Sequence, residues 1–462
     1  MSKRFRPCSL EQAFLLPPSL QDWLPEDHLA RFVADVAETL DLSPIYGCYQ
    51  RRDGRGQAAY HPLMMVRLLL YAYCMGRASS RAIEKSTYED LAFRYLAADQ
   101  HPDHDTIAAF RKQHLGSLAA LFAQILELCR QAGLVQVGAV MLDGTKMAAN
   151  ASRSKSSDYG ELQRQEKQIE ALVEQLLAHA GRVDEEEDVR YGKGKRGDEL
   201  PAELADHKKR LERIRQAKAE LEQRAKERAE QARCERGQKL AAGETPSDTE
   251  RKRWSRAQQP VEESKAQYNF TDPDSQLMKD GQRAGWMQGF NAQAAVLENQ
   301  IIVAAEVTTE AVDKQQLVPM AGRVEQSLGV KPPVLLADTG YWSEAAVSAE
   351  SLREVSLLVP PDRSQPGEQL KKTAPNSEAA QQMREKLRRP EEAEIYRLRK
   401  QTIEPVFGQI KEARGFRRFW LRGLRAVRGE WKLICLTHNL RKLFPHWKEL
   451  AGLGVGLAAQ PA

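Results

Sequence analysis

Three acidic residues and one lysine are the residues of this 462-residue chain whose types and spacing could do chemistry. Asp143 follows the β-prone run Val135, Val137, Ala139, Val140, Met141, Leu142, and Asp338 follows a second run, Pro333 to Ala337. Both runs read as buried strands with a carboxylate at the exit. Acids at the ends of sequence-distant strands can converge, because ligands gather outside the carboxyl ends of strands in open α/β sheets. Hard divalent cations such as magnesium take oxygen ligands, and a pair of such ions serves phosphoryl transfer. That chemistry asks for a third carboxylate. Glu404, in Ile403-Glu404-Pro405-Val406-Phe407-Gly408-Gln409-Ile410-Lys411, supplies one on a basic helix. Lys411, seven residues on, returns to the same helix face and could hold a DNA phosphate beside the ions. Each acid alone is a weak signal, since an Asp after a strand commonly caps a turn or a helix.

The charge distribution points to a polyphosphate. The chain is only +5 overall, yet Ile395 to Lys448 holds 14 lysines and arginines against three glutamates, leaving the remainder net acidic. A concentrated basic block is the electrostatic footprint of nucleic-acid binding, although a solvated basic helix has the same charge. Within it Arg414, Arg417, Arg418 and Arg422 are interleaved with Phe416, Phe419 and Trp420, a pattern that suits gripping a DNA backbone with the apolar members buried. The N-terminus lacks the apolar core of a secretion signal, and the longest apolar stretch, near Leu63 to Met75, is interrupted by Arg67. A cytoplasmic location and no membrane association are therefore expected. Six scattered cysteines without metal-type spacing predict free thiols and no structural zinc.

The elements that must position these residues fall into blocks. Residues 1–132 read as an all-α N-terminal domain: a helix from Leu24-Pro25-Glu26-Asp27, an all-round apolar helix from Pro62 to about Met75, short helices to His114, and a last one over Leu118 to Ala132. Short helices around a buried one are compatible with a helix-turn-helix, whose exposed helix would offer Arg111 and Lys112 to DNA, or alternatively Arg81 and Lys85. An ordinary helical bundle carries the same signal. Residues 133–153 and 266–448 read as a split α/β domain. Between them, 154–265 is rich in Glu, Lys, Arg, Gln and Ala with few aromatics, and its heptad-like Leu162, Ile169, Leu172, Leu176 and Leu204, Leu211, Ile214, Leu221 predict a helical hairpin around Gly192 to Gly197, with a polar tail. Residues 449–462 form a C-terminal tail. Gly289 to Val296 and Ile301 to Val307 flank a hairpin turn at Leu297 to Gln300.

Other chemistry-bearing residues have blander readings. Asp272 and Asp274 belong to an Asp-Pro-Asp-Ser turn, His101 and His104 to a polar break, and His438 to the last apolar helix as a satisfied core histidine. Tyr341 and Trp342 either stack on an unpaired base or pack on the sheet.

In order, the chain presents strand-Asp, strand hairpin, strand-Asp and a basic helix with Glu. This resembles the ribonuclease-H-like catalytic core of bacterial insertion-sequence DDE transposases. The resemblance runs from Phe5-Arg6-Pro7 through His61-Pro62 and Leu142-Asp143-Gly144-Thr145-Lys146 to Arg414-Gly415-Phe416-Arg417-Arg418-Phe419, and is closest to the eleven-eighty-two group. It implies Asp143, Asp338 and Glu404 as catalytic acids and ligands of two magnesium ions, with manganese as a substitute. Tyr396, Arg399, Glu404 and Lys411 resemble the family's Tyr, Arg, Glu and Lys signature. Tyr396 and Arg399 stand one residue ahead of the commonest spacing, which falls on Arg397 and Lys400. Lys146, in the first motif, is taken with Tyr396, Arg399 and Lys411 as DNA-contacting.

The fold class implied is α/β, a ribonuclease-H-like mixed sheet with flanking helices, plus the all-α N-terminal domain and the helical-hairpin insertion. The function implied is cutting phosphodiester bonds at the element's ends and joining the freed 3′-hydroxyls to target DNA, with double-stranded DNA as partner and a homodimer or larger assembly on it. A catalytically inactive DNA-binding derivative, or a nuclease of the same fold without strand transfer, are the alternatives.

Overall fold

The computed structural model describes residues 19–50, 58–191, 202–241, 248–261, 266–279, 285–362 and 375–452, with Gly243 and Pro246. Phe5-Arg6-Pro7, the Gly192 to Gly197 link, and most of the 449–462 tail lie outside the described residues. Eight helices come first: α1 (Leu20–Trp23), α2 (Leu29–Thr39), α3 (Ser43–Gln50), α4 (Pro62–Cys74), α5 (Ser80–Glu89), α6 (Leu91–Leu96), α7 (His104–Gln113) and α8 (Leu115–Gln131). Strands β1 (Ala139–Ala148) and β2 (Ser156–Asp158) precede α9 (Tyr159–Tyr191), α10 (Ala202–Ala241) and α11 (Asp248–Ala257). Then come β3 (Gln267–Asn269), β4 (Gln276–Lys279), β5 (Trp286–Leu297), β6 (Ile302–Thr308), α12 (Leu317–Leu328), β7 (Val334–Leu336), α13 (Glu344–Val347) and β8 (Ser356–Leu358). The chain closes with α14 (Glu378–Arg388), α15 (Pro390–Gly408), α16 (Leu424–Leu443) and α17 (Trp447–Gly452).

The chain divides into two compact units. One holds the described parts of Met1–Asn150 and Gly289–Ala462, and the other those of Ala151–Lys279 and Ala284–Gln288. In the first, a mixed sheet runs β6-β5-β1-β7-β8. β1 is antiparallel to β5, with Asp143 opposite Ala294, and parallel to β7. β6 is antiparallel to β5, and β8 is parallel to β7. The parallel pairing of β1 with β7 covers only Ala139 to Met141, so β1 projects past the end of β7 from Leu142 onward. Strands this short and apolar are buried by helices on the sheet faces.

The N-terminal helices share this unit instead of standing apart from the sheet. The reason lies in α4, which is apolar nearly all round, and in α16, which is buried on every side from Leu433 to Leu440. α16 packs against α4 and α8 and also against β6. Three hydrogen bonds knit the seam: Arg414 donates to Tyr73 O at 3.0 Å and to Ile434 O at 3.2 Å, and Arg441 to Cys74 O at 2.9 Å. The helix expected from Leu24 begins at Leu29, because the His28 side chain accepts the Ala30 N–H at 3.1 Å and caps it there.

In the second unit α9 and α10 pack along Leu162, Ile169, Val173, Leu211, Ile214 and Leu221, joined by Tyr159 and Tyr268. Of the heptad-like residues read from the sequence, Leu162, Ile169, Leu211, Ile214 and Leu221 lie in this core and Leu176 packs against it, whereas Leu172 is exposed. Asp272 closes a turn, its carbonyl accepting the Ser275 N–H at 3.1 Å.

His438 is buried on α16 and bonds Gln300 O at 2.9 Å across the β5–β6 turn. Burial, with Arg414, Lys442 and Arg441 nearby, lowers its imidazole to about 3. Folded His438 therefore stays neutral while an unfolded one binds a proton below about 6.5. This group costs nothing above that pH, and below it stability falls by up to about 1.4 kcal/mol per pH unit until about pH 3. Between pH 7 and pH 5 we expect the unfolding midpoint of His438→Gln to gain on that of the wild type, because only the wild type carries this cost. An unchanged pH dependence in that variant rejects the assignment.

Candidate active site

The projecting half of β1 and the exit of β7 create the site. Asp143 lies in β1 just past the last residue paired with β7. Its Oδ1 accepts the Gly144 N–H at 2.8 Å, and its Oδ2 accepts from Arg399 Nη1 at 3.2 Å. Burial pushes this carboxyl up to about 6; Arg399 works against the shift, while Asp338 and Asp313 add to it. Asp338 comes two residues after β7 and caps the short 3-10 turn Thr339–Tyr341, accepting the Gly340 N–H at 2.8 Å. The structure thus brings Asp143 and Asp338 into electrostatic contact from opposite halves of the chain.

Asp313, which sequence reasoning missed, is the third carboxylate here. It follows β6, and its Oδ1 accepts amide N–H groups from Asn291 and Gln293, each at 2.7 Å. Two glycines give it room. A Cβ on Gly144 would lie 2.6 Å from Asp313 Oδ1, and one on Gly340 would lie 2.8 Å from Asp338 Oδ1 and 3.4 Å from Asp313 Oδ2. Those last two oxygens are therefore no more than about 6 Å apart. Lys146 Nζ stands 3.9 Å from Asp313 Oδ1, and burial lowers its ammonium while Asp313, Asp143 and Asp338 oppose that shift. A signal existed in the sequence: Asn291 and Gln293 are alternate, hence same-side, amides in the otherwise apolar run Gly289 to Val296. They face Lys146 and Gly144 across the β1–β5 register.

α15 brings the basic side. Arg399 is buried against Asp143, and Tyr396, one turn earlier, donates its hydroxyl to Ala337 O at 3.4 Å. Lys411 donates to Lys146 O at 2.8 Å. Glu404 is exposed. Five residues after Arg399, it lies about 140° around the helix from it. Pro405 sits inside α15, and from Gln409 to Ala413 the backbone winds as a π-turn. The wider turn changes the rotation per residue, so the seven-residue spacing from Glu404 to Lys411 is not the α-helical repeat.

The expected DNA-contacting residues separate into two groups. Arg417, Arg418, Arg422 and Lys112 are exposed. Arg111 and Arg414 turn inward: Arg111 donates to Tyr73 Oη at 3.1 Å and to Ala78 O, and Arg414 to backbone carbonyls and the Thr437 hydroxyl. Their guanidiniums are buried and paired with polar groups at the end of α4, just beyond it and within α16, as buried polar groups generally are. Tyr341 and Trp342 are also buried, and the Tyr341 hydroxyl bonds the Gln293 side-chain carbonyl.

Oxygen is the only donor type the acids offer, which suits a hard divalent cation. Among the described residues, no three His, Cys, Asp or Glu side chains stand as a closed metal-ligand set. Arg399 occupies one face of Asp143 and two amides occupy Asp313 Oδ1. No described helix is long and apolar enough to cross a membrane.

Two family models match the chain. Residues 18–113, spanning α1 to α7, match a transposase domain (DUF772). Residues 362–444, spanning α14 to α16 with Tyr396, Arg399, Glu404 and Lys411, match a transposase DDE domain. No curated protein and no solved structure matches the chain. Both matches name the same activity, and together they support an insertion-sequence DDE transposase.

Proposed function

We propose that this transposase cleaves phosphodiester bonds at the ends of its element and joins the freed ends to target DNA, with Asp143, Asp338 and Glu404 as its acids on a ribonuclease-H-like core. The observation that carries the reading is the meeting of Asp143 and Asp338 at the edge where β1 outruns β7. A sheet with an antiparallel hairpin on one side of its first strand and two parallel strands on the other is consistent with that core.

Asp143 and Asp338, with Glu404 as the third acid that the resemblance implies, would hold two magnesium ions, which manganese could replace. Ions bound there supply an activated water and neutralise charge building on the phosphate. The chain's own residues do the rest. Arg399 favours the ionised form of Asp143 and fixes its orientation through the 3.2 Å bond. Tyr396 braces the Ala337 carbonyl next to Asp338. Lys146 and Lys411 set positive charge beside the acids, where a DNA phosphate would lie. Arg417, Arg418, Arg422 and Lys112 supply exposed charge to the DNA backbone. Two copies on DNA would hold both element ends together.

The deciding test is a strand-transfer assay with magnesium or manganese on DNA bearing the element's ends. Joined products are expected from the wild type, and none from Asp338→Ala or Glu404→Ala, with end binding kept. Cutting without joining would identify a nuclease, and binding alone an inactive derivative. Asp313→Asn probes the added carboxylate. As a group bracing the acids it should lower cleavage by about 10- to 100-fold, with DNA affinity unchanged. Full activity in that variant removes Asp313 from the site.

A further inference from the structure

The arginine-rich segment after Gly415 presents one large ring to solvent. Phe416 and Phe419 are buried, whereas Trp420 is 42% exposed. Its backbone is held from several directions. Buried Glu430 of α16 accepts the Trp420 N–H at 3.0 and 3.1 Å and the Leu421 N–H at 2.9 Å. Phe419 N–H donates to Ala148 O at 2.8 Å, and Asn150 Nδ2 donates to Trp420 O at 2.8 Å. Arg418 Nη2 reaches Asn150 Oδ1 and Arg422 Nε reaches Asn150 O, both at 3.0 Å. The Arg418 guanidinium stands 5.9 Å from the Trp420 ring centroid.

An exposed indole on a rigid mount, among cations, suits a ligand with both a flat π face and negative charge. A nucleotide has both. Inside a duplex the base faces are covered by their neighbours, so an unpaired base is the form that offers one. The mount is also well placed, because Ala148 and Asn150 are the end and continuation of the strand that carries Asp143. Tyr341 and Trp342, the aromatics next to Asp338, are buried and offer no such face.

We propose that Trp420 is a stacking platform for an unpaired base of the DNA strand, with Arg418 and Arg422 neutralising the flanking phosphates. This rests on the transposase reading and adds to it a binding site separate from the acids.

The test measures binding of three labelled duplexes by the full chain. One is blunt, one carries a short single-stranded extension, and one carries the same extension built from abasic sugar-phosphates. The wild type should bind the base-bearing extension about tenfold more tightly than the abasic one. Trp420→Ala should erase that preference and leave blunt-duplex affinity unchanged, while Trp420→Phe keeps most of it. A preference that survives Trp420→Ala, no preference in the wild type, or equal weakening of all three duplexes overturns the proposal. Failure of the wild type to bind any of the duplexes would instead count against the transposase reading beneath it.

Discussion

Asp143→Asn should abolish strand cleavage, by about 10³-fold or more, and leave a fold at least as stable as the wild type at pH 7. Losing one anionic ligand forfeits several kcal/mol of transition-state stabilisation, and each 1.36 kcal/mol is a factor of ten in rate. The stability half follows from linkage. The folded carboxyl is raised to about 6 from an ordinary value of 3.8. The folded state therefore binds the proton more tightly, so this group favours folding at low pH and that contribution is lost as pH rises through about 6. At pH 7 the ionised carboxylate costs about 3 kcal/mol, the attraction of Arg399 being already counted in the raised value. Asparagine carries no charge and escapes that cost. Melting without divalent ions should therefore match or exceed wild type at pH 7, and added magnesium should raise the wild-type midpoint alone. Loss of activity with a lowered melting temperature would mean that the substitution acts by unfolding.

Gly76→Ala should destabilise the first unit by about 2–5 kcal/mol, the largest stability loss expected here from a single methyl. Gly76 ends α4 at φ +75°, a conformation that costs an L-residue about 1–2 kcal/mol. A Cβ there would lie 2.1 Å from the Arg414 carbonyl oxygen and 2.9 Å from its carbon. Both are backbone atoms that cannot swing aside, so overpacking adds about 1–3 kcal/mol. Gly116→Ala is the control. It lies inside α8 with nothing within 4 Å of the added methyl, so its melting temperature should hold or rise slightly. Equal behaviour of the two variants would sink the close-approach argument.

The close approach at Gly76 shows what the sequence left hidden. Periodicity marks α4 as apolar nearly all round, but it does not say that α16 covers it, and so the N-terminal helices read as a domain of their own. The same gap explains Arg111 and Arg414. A basic residue reads as surface charge; only the packed structure reveals the buried carbonyls of Tyr73, Ala78 and Ile434 with which these two guanidiniums pair.

At the site, local pattern was enough for some residues and not for others. Apolar runs ending in aspartate pick out Asp143 and Asp338, whose carboxyls the structure sets near one another, because a strand's burial and its exit are local properties of sequence. The heptad-like leucines of α9 and α10 were legible for the same reason. Asp313 was not, since it follows a strand like many turn aspartates, and its place beside the pair depends on how β5 and β6 register. Nor was the orientation of α15. Arg399 faces Asp143 while Glu404 lies well around the helix from it, and the π-turn after Gly408 offsets Lys411 from the α-helical repeat.

Sequence by itself determined which residues could form the acid pair, which helices carry positive charge and which runs must be buried. Tertiary structure alone decided which carboxylates lie near one another, which arginines are spent inside the fold and that the Trp420 ring faces solvent. Burial and chain direction are written in nearest-neighbour patterns, whereas convergence depends on register and on packing between segments far apart in the chain.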